Sequence, residues 1–295
     1  MLDLFHPTLA VQRFAKGRTF LVATGTQATW LQQMHPHATL KSTIQGAHDD
    51  AENGRGDLVI VGGQTFDETL AITKNDLTFV GSIFGTMPTS IIARTVNDAA
   101  CLTLAVGVRR VAFFNIGFEP TLATATKFGI QVLGKDIYFH GCKFAGNGST
   151  PGIAMEIGGG ATNGAARVRI WDSEFEFCAK HILFRVATGT GNLNTQIDIQ
   201  RNLFHDASVN CLANAPEDVG GSVQDSFIIG NKFCRNEGGV EPTKYVDLNT
   251  AANKNDYQDN SFATANFTSA KVLIGANSEW VGNKSRAGIS TALPS

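Results

Sequence analysis

From residue 77 onward, apolar and polar residues recur in an eight-residue pattern, with core-type residues at positions one and three, a turn residue at five and an aromatic at eight. Eight instances follow one another: LTFVGSIF from Leu77, VAFFNIGF from Val111, IYFHGCKF from Ile137, VRIWDSEF from Val168, IDIQRNLF from Ile197, SFIIGNKF from Ser226, NDYQDNSF from Asn255 and SEWVGNKS from Ser278. Phe holds position eight in seven of them, and the eighth positions (84, 118, 144, 175, 204, 233, 262, 285) lie 34, 26, 31, 29, 29, 29 and 23 residues apart. Alternation at positions one and three is strand periodicity with one face inward. Gly81, Gly141, Gly230 and Gly282, with Asn115, Asp172 and Asp259, supply residues that tolerate a left-handed turn at position five, and Arg201 is the exception.

A second apolar run follows in most repeats: FGIQVLG (128 to 134), GIAMEIG (152 to 158), HILFRVA (181 to 187), KYVDLNT (244 to 250) and KVLIGAN (271 to 277). Several strands per period of 23 to 34 residues predict a β-solenoid, each coil returning to stack on its predecessor. The fold class expected is all-β: a right-handed parallel β-helix of about eight or more coils, with a shaft of about 38 Å at roughly 4.8 Å per coil. Position six carries Asn202, Asn231, Asn260 and Asn283 in successive coils, either a hydrogen-bonded ladder or four independent turn residues facing water. Phe118, Phe144, Phe175, Phe204, Phe233 and Phe262 are expected to form one interior column.

Residues 38 to 53 read as an amphipathic capping helix with Leu40, Ile44, Ala47 and Ala51 on one stripe. The expected organisation is therefore an N-terminal arm or cap (1 to 37), the β-helix (38 to 285) and a C-terminal tail (286 to 295). The arm carries Leu4, Phe5, Phe14, Arg18, Phe20 and Trp30, either a docking element rich in aromatics and arginine or part of the cap. Trp280, in the last coil, is expected at an exposed end, facing a symmetry mate or partner. These seven residues are the candidate partner-binding set.

Thr43-Ile44-Gln45-Gly46-Ala47, followed by GRGDLVIVGGQTFDETLAITKNDLTFVG (54 to 81), resembles the opening of pectin methylesterases and of many phage β-helix proteins, within the pectin-lyase-like superfamily. The resemblance covers about 45 residues and implies a fold, with no chemistry of its own. The family's catalytic motifs do not align. Polygalacturonases use Asn-Thr-Asp, Asp-Asp, Gly-His-Gly and Arg-Ile-Lys on successive coils, whereas the one Asp-Asp here, Asp49-Asp50, lies in the predicted cap helix. Where pectin methylesterases carry a Gly-Asp-Val-Asp-Phe-type segment with two aspartates, the comparable strand is Asp136-Ile137-Tyr138-Phe139, with one. Ile170-Trp171-Asp172 is only superficially similar to the pectate lyase Trp-Ile-Asp-His segment. Asp172, Glu174 and Glu176 on one coil and His205 with Asp206 on the next remain as loose groupings, read as a solvated acidic patch; His140 and His181 read as structural groups.

Composition narrows the partners. With 43% hydrophobic and 17% charged residues the chain has a core to bury, and 24 basic against 26 acidic residues give a net charge of −2 with no long run of either sign, which disfavours nucleic acid and anionic lipid. No basic leader with an apolar stretch and no 18-residue apolar window occurs, so synthesis in a host cytoplasm and no membrane association are expected. Five cysteines without a C-x-x-C pair suggest buried thiols, and no cofactor or metal is expected. The resemblance to phage proteins, joined to these readings, implies a non-enzymatic bacteriophage virion protein: a capsid decoration, cement or surface spike protein. It would form a homotrimer and bind a major capsid or other virion protein. A polysaccharide-degrading or glycan-binding tailspike-like role, with a host glycan as partner, is the alternative.

Overall fold

The computed structural model describes residues 16–290 apart from 85–86, 160–163, 187–193, 216–222, 236–237, 239–240, 249–253, 266 and 276. The chain winds as a parallel β-helix whose walls are one 13-stranded and one 16-stranded sheet, hereafter the first and second sheets. Positions one to four of the octets build the first sheet in matched register: Val111 lies opposite Leu77, Ile137 opposite Val111 and Val168 opposite Ile137. Position eight lies in the second sheet, where Phe118, Phe144, Phe175, Phe204, Phe233 and Phe262 are successive partners. Their rings stack at centroid distances of 5.5, 4.3, 4.9, 5.0 and 4.6 Å. A shorter column, Phe79–Phe113–Phe139, stacks at 5.0 and 5.1 Å from position three.

The first octet departs from this rule. Ile83–Phe84 pairs antiparallel with Met87–Pro88, an inserted hairpin that departs from the coil after Gly81 and rejoins it at Ser90. Ile92 takes the column position opposite Phe118, with Phe66 opposite Ile92. Column residues 66, 92, 118 and 144 are thus 26 apart three times over, and the apparent step of 34 was measured from Phe84, eight residues before the true column position.

The turn at position five is left-handed at Asn115, Gly141, Asp172, Arg201, Gly230, Asp259 and Gly282, with φ between 51° and 67°. A second left-handed column precedes position one, at Asp76, Arg110, Asp136, Arg167, Gln196 and Asp225. The charges of its first four members alternate, and Arg110 grips Asp76 while Arg167 grips Asp136, each through two guanidinium nitrogens. These exposed coil-to-coil forks offset part of the cost of holding non-glycine residues in that conformation.

The Asn ladder is real and dry. Asn202, Asn231, Asn260 and Asn283 are at most 1% exposed. Each Nδ2 donates to a carbonyl of the preceding coil, of Ile170, Ile199, Ile228 and Tyr257 respectively, at 2.7–2.8 Å. Each Oδ1 accepts the backbone N–H of Ser173, Asn202, Asn231 and Asn260 in turn, at 2.9–3.0 Å. Toward the N-terminus Ser173 continues the series by accepting the Cys142 N–H at 3.1 Å. Position one holds a second, buried polar series in the last coils, where Ser226, Asn255 and Ser278 accept the N–H groups of Ile197, Ser226 and Asn255.

At the N-terminal end, strand Thr19–Val22 runs parallel between Thr39–Lys41 and Asp57–Val61, and helix α1 (Gly25–Met34) connects the first two. The cap helix is shorter than expected: α2 spans Ile44–Asp50, started by Thr43, whose Oγ1 accepts the Gly46 N–H at 3.0 Å. Residues 39–41 are claimed by strand pairing, which leaves Leu40 41% exposed, while Ile44 and Ala47 seal the core. Asp57 fastens the cap, its buried carboxylate accepting the backbone N–H groups of Arg18 and Glu52 and the Arg55 guanidinium. At the other end, Gly288–Ser290 pairs antiparallel with Asn283–Ser285. All five cysteines are free thiols, four of them buried; burial pushes Cys101, Cys142 and Cys178 up to about 12.

Candidate functional site

The residues expected to bind partners are not gathered. Leu4, Phe5 and Phe14 lie outside the described residues. Phe20 is 1% exposed, a strand residue facing the core under the cap, and Trp280 is 4% exposed because its ring closes the phenylalanine column, 5.8 Å from Phe262. Both corrections have one cause: the shaft ends are covered, by α2 at one end and by Phe267, edge-on to Trp280 at 5.1 Å, at the other. Arg18 is exposed but tied to the cap, donating to the Asp50 carbonyl at 3.2 Å. Trp30, on α1, is 58% exposed and remains available.

The chemically dense region lies instead at the corner where the first sheet turns into the second, between residues 137 and 206. Positions two and four of the octets face outward, which places Tyr138, His140, Arg169, Trp171, Asp198 and Gln200 side by side on the first sheet. Tyr138 lies parallel to His140 at 5.9 Å and edge-on to Trp171 at 5.4 Å. The Arg169 and Arg201 guanidinium carbons stand 6.0 and 5.6 Å from the Trp171 ring centre. Burial, then the negative Asp172, pushes the Tyr138 hydroxyl up to about 12; burial also lowers His140, against the pull of Asp172. Burial raises the Asp198 carboxyl, although Gln200 donates to it at 2.7 Å.

Arg201 explains its own exceptional place in the turn column. It forks onto Asp172 of the preceding coil with bonds of 2.7 and 2.6 Å, so the one cation at position five sits against an anion at the same position. This pair also lines a groove of about 450 Å³, together with Lys143, Glu174 and Met87 and Pro88 of the inserted hairpin.

On the second sheet, positions seven and nine face outward, and strand Glu174–Arg185 continues past the turn, so Glu174 and Glu176 share a face. His205 stands on the next coil. Its Nε2 is 2.8 Å from Glu174 Oε1 and 3.5 Å from Glu176 Oε2, while Nδ1 donates to Asp206 Oδ2. Lys143 takes the other Glu176 oxygen at 2.6 Å. The hydrogen bond to Glu174 raises the His205 pKa, and the same bond lowers that of Glu174. The grouping is half-buried and mutually bonded, so the expectation of a merely solvated acidic patch does not hold; Glu174, Glu176 and His205 offer three ligand atoms within 4.8 Å of one another. Asp136, in the segment comparable to the methylesterase aspartates, is a turn residue held by Arg167. Asp49 is bound by Gln45 and His48, and Asp50 by Lys41.

A solved structure of pectin methylesterase from Aspergillus niger superposes with a TM-score of 0.62 at 15% identity, covering 95% of this chain and 88% of that one. The two chains share the parallel β-helix fold. ORF18 of Geobacillus virus E2 is a more distant neighbour, with a TM-score of 0.44 and 13% identity over 82% of this chain and 56% of that one. No family model and no curated protein matches the sequence. Among the described residues no helix is long and apolar enough to cross a membrane.

Proposed function

We propose that the protein is a structural component of a bacteriophage virion, a capsid decoration, cement or surface spike protein that serves as a stiff shaft and assembles as a homotrimer against a major capsid or other virion protein. The observation that carries this reading is the lengthwise use of polar groups. The buried Asn202–Asn231–Asn260–Asn283 ladder ties coil to coil inside, and the Arg110–Asp76, Arg167–Asp136 and Arg201–Asp172 forks do so outside. Reinforcement along the axis suits a spacer that must keep its shape. Trimerisation fits the threefold positions of a shell.

Two measurements test it. Virions banded from the source phage carry the chain in copy numbers divisible by three, and light scattering of the purified chain gives three times 31.5 kDa. Absence from banded particles, or a monomer mass at micromolar concentration, overturns the proposal.

A second reading rests on a specific observation, the outward row of Tyr138, His140 and Trp171 flanked by Arg169, Arg201 and Asp198. Aromatic faces edged by charged hydrogen-bonding groups suit the apolar faces and hydroxyls of a host glycan. Binding on a glycan array, lost in Trp171→Ala and without product release, selects that reading. Reducing-end release from bacterial polysaccharides, abolished by Asp172→Asn, would instead make the chain a depolymerase.

A further inference from the structure

We infer that Glu174, Glu176 and His205 form a binding site for a divalent transition-metal ion, Zn²⁺ by the chemistry of the donors, clipping two successive coils on the outer face of the second sheet. The ring orientation points there first. Nδ1 of His205 is engaged by Asp206, which turns Nε2 toward Glu174 Oε1 at 2.8 Å and Glu176 Oε2 at 3.5 Å. A metal ion at that point takes the place of the Nε2 proton and is shared by both carboxylates.

A proton on Nε2 serves only one of the two oxygens, since a single N–H cannot point at both and 3.5 Å to Glu176 is beyond a sound hydrogen bond. A metal ion serves both. With bonds of about 2.0–2.1 Å and tetrahedral angles, ligand atoms lie roughly 3.3 Å apart. The separations here, 2.8 and 3.5 Å from Nε2, bracket that distance. The Asp206–His205 bond is the carboxylate–imidazole arrangement that orients metal-binding histidines. One imidazole and two carboxylates favour a borderline ion over Ca²⁺ or Mg²⁺.

Three protein ligands leave a further position for water or an oxygen of a bound molecule, and Glu174 also lines the 450 Å³ groove, so that position has a path to solvent. Lys143 is the internal competitor, holding the second oxygen of Glu176. Composition alone gave no hint of a metal, because the three ligands are brought together only by the stacking of coils.

The test is a Zn²⁺ titration of the full chain against a chromophoric chelator. The wild-type chain takes up one equivalent more than His205→Asn, Glu174→Gln loses that equivalent or weakens it at least tenfold, and Asp206→Asn weakens it by about 10- to 100-fold. Lys143→Met tightens binding, because Glu176 is released and the site gains net negative charge; no misfolded variant imitates that direction. No Zn²⁺ bound by the wild-type chain, equal uptake by wild type and His205→Asn, or weaker binding in Lys143→Met overturns the site.

Discussion

Replacing Asn231 by alanine tests the load on the interior ladder most directly. The Asn231 side chain takes part in four bonds: Nδ2 donates to the Ile199 carbonyl and to Asn260 Oδ1, and Oδ1 accepts the backbone N–H and the Nδ2 of Asn202. Truncation strands two buried donors on Asn202 and takes one bond from the Ile199 carbonyl, in a place with no solvent exposure. At about 1–3 kcal/mol for each stranded donor the expected loss is about 2–6 kcal/mol. A stacked-coil protein can open locally, so global melting is paired with hydrogen exchange, in which the Asn202 amide reports its lost acceptor. Asn231→Asp sharpens the assay. The carboxylate still accepts from Asn202 but faces the Ile199 carbonyl and Asn260 Oδ1, two acceptors, which raises its pKa in the folded state above the unfolded value of about 3.9. A raised carboxyl pKa means the variant is least impaired below about pH 4 and loses stability as pH rises toward neutrality. A loss under 1 kcal/mol in Asn231→Ala with unchanged Asn202 protection, or an Asn231→Asp variant more stable at pH 7 than at pH 4, refutes the reasoning.

Phe204→Ala, in the middle of a column stacked at 4.9 and 5.0 Å, is expected to cost about 3–5 kcal/mol; less than 1 kcal/mol lost on thermal melting would reject the column. Burial raises the Asp57 carboxyl, but its bonds from Arg55 and from the N–H groups of Glu52 and Arg18 outweigh this and hold it below the usual range. Its contribution is therefore complete above about pH 4 and lost as pH falls through the folded value, and Asp57→Asn flattens the acid limb of the cap's melting curve. Arg167→Ala removes an exposed fork with Asp136 and should shift stability by no more than about 1 kcal/mol, the shift shrinking further in 1 M salt.

The coils were legible because the octet is repeated and its inward positions are chemically uniform. The inserted hairpin was not, since LTFVGSIF satisfies the pattern although its Phe84 belongs to a local antiparallel pair. Strand Asn210–Asn214 escaped notice because four consecutive residues are buried and no alternation marks it. The left-handed column before position one reads as ordinary loop charge until the coils are stacked and Asp76, Arg110, Asp136 and Arg167 fall in line. The metal-type cluster had a readable signal: one position beyond the octet, Glu176 and His205 occupy equivalent places in adjacent coils. Burial of Trp280 had none, because it depends on Phe267, which lies outside the octets and packs edge-on against its ring.

The shaft changes its internal chemistry half-way, and the change suggests where the ladder can be lengthened. Up to residue 144 the column steps are 26 residues, position three is Phe (79, 113, 139), and position six holds Ile116 and Cys142. From residue 175 the steps are 29, position three is Ile (170, 199, 228 at first), and position six is Asn from 202 onward. Hydrogen bonds take over where the second aromatic stack ends. Ser173 sits at the boundary, accepting the Cys142 N–H as the asparagines do but donating to its own coil, to the Trp171 carbonyl at 2.9 Å. Ser173→Asn should keep the Cys142 acceptor and direct a new N–H to the Phe139 carbonyl, the equivalent of the Ile170 carbonyl met by Asn202. One added buried bond contributes about 0.5–1.5 kcal/mol, opposed by the larger side chain if the neighbouring Phe139 ring fills the seat. We expect a gain of about 1 kcal/mol on thermal melting with increased protection of the Cys142 amide. A loss of more than 1 kcal/mol would show that the aromatic stack, and not the turn, decides where the ladder stops.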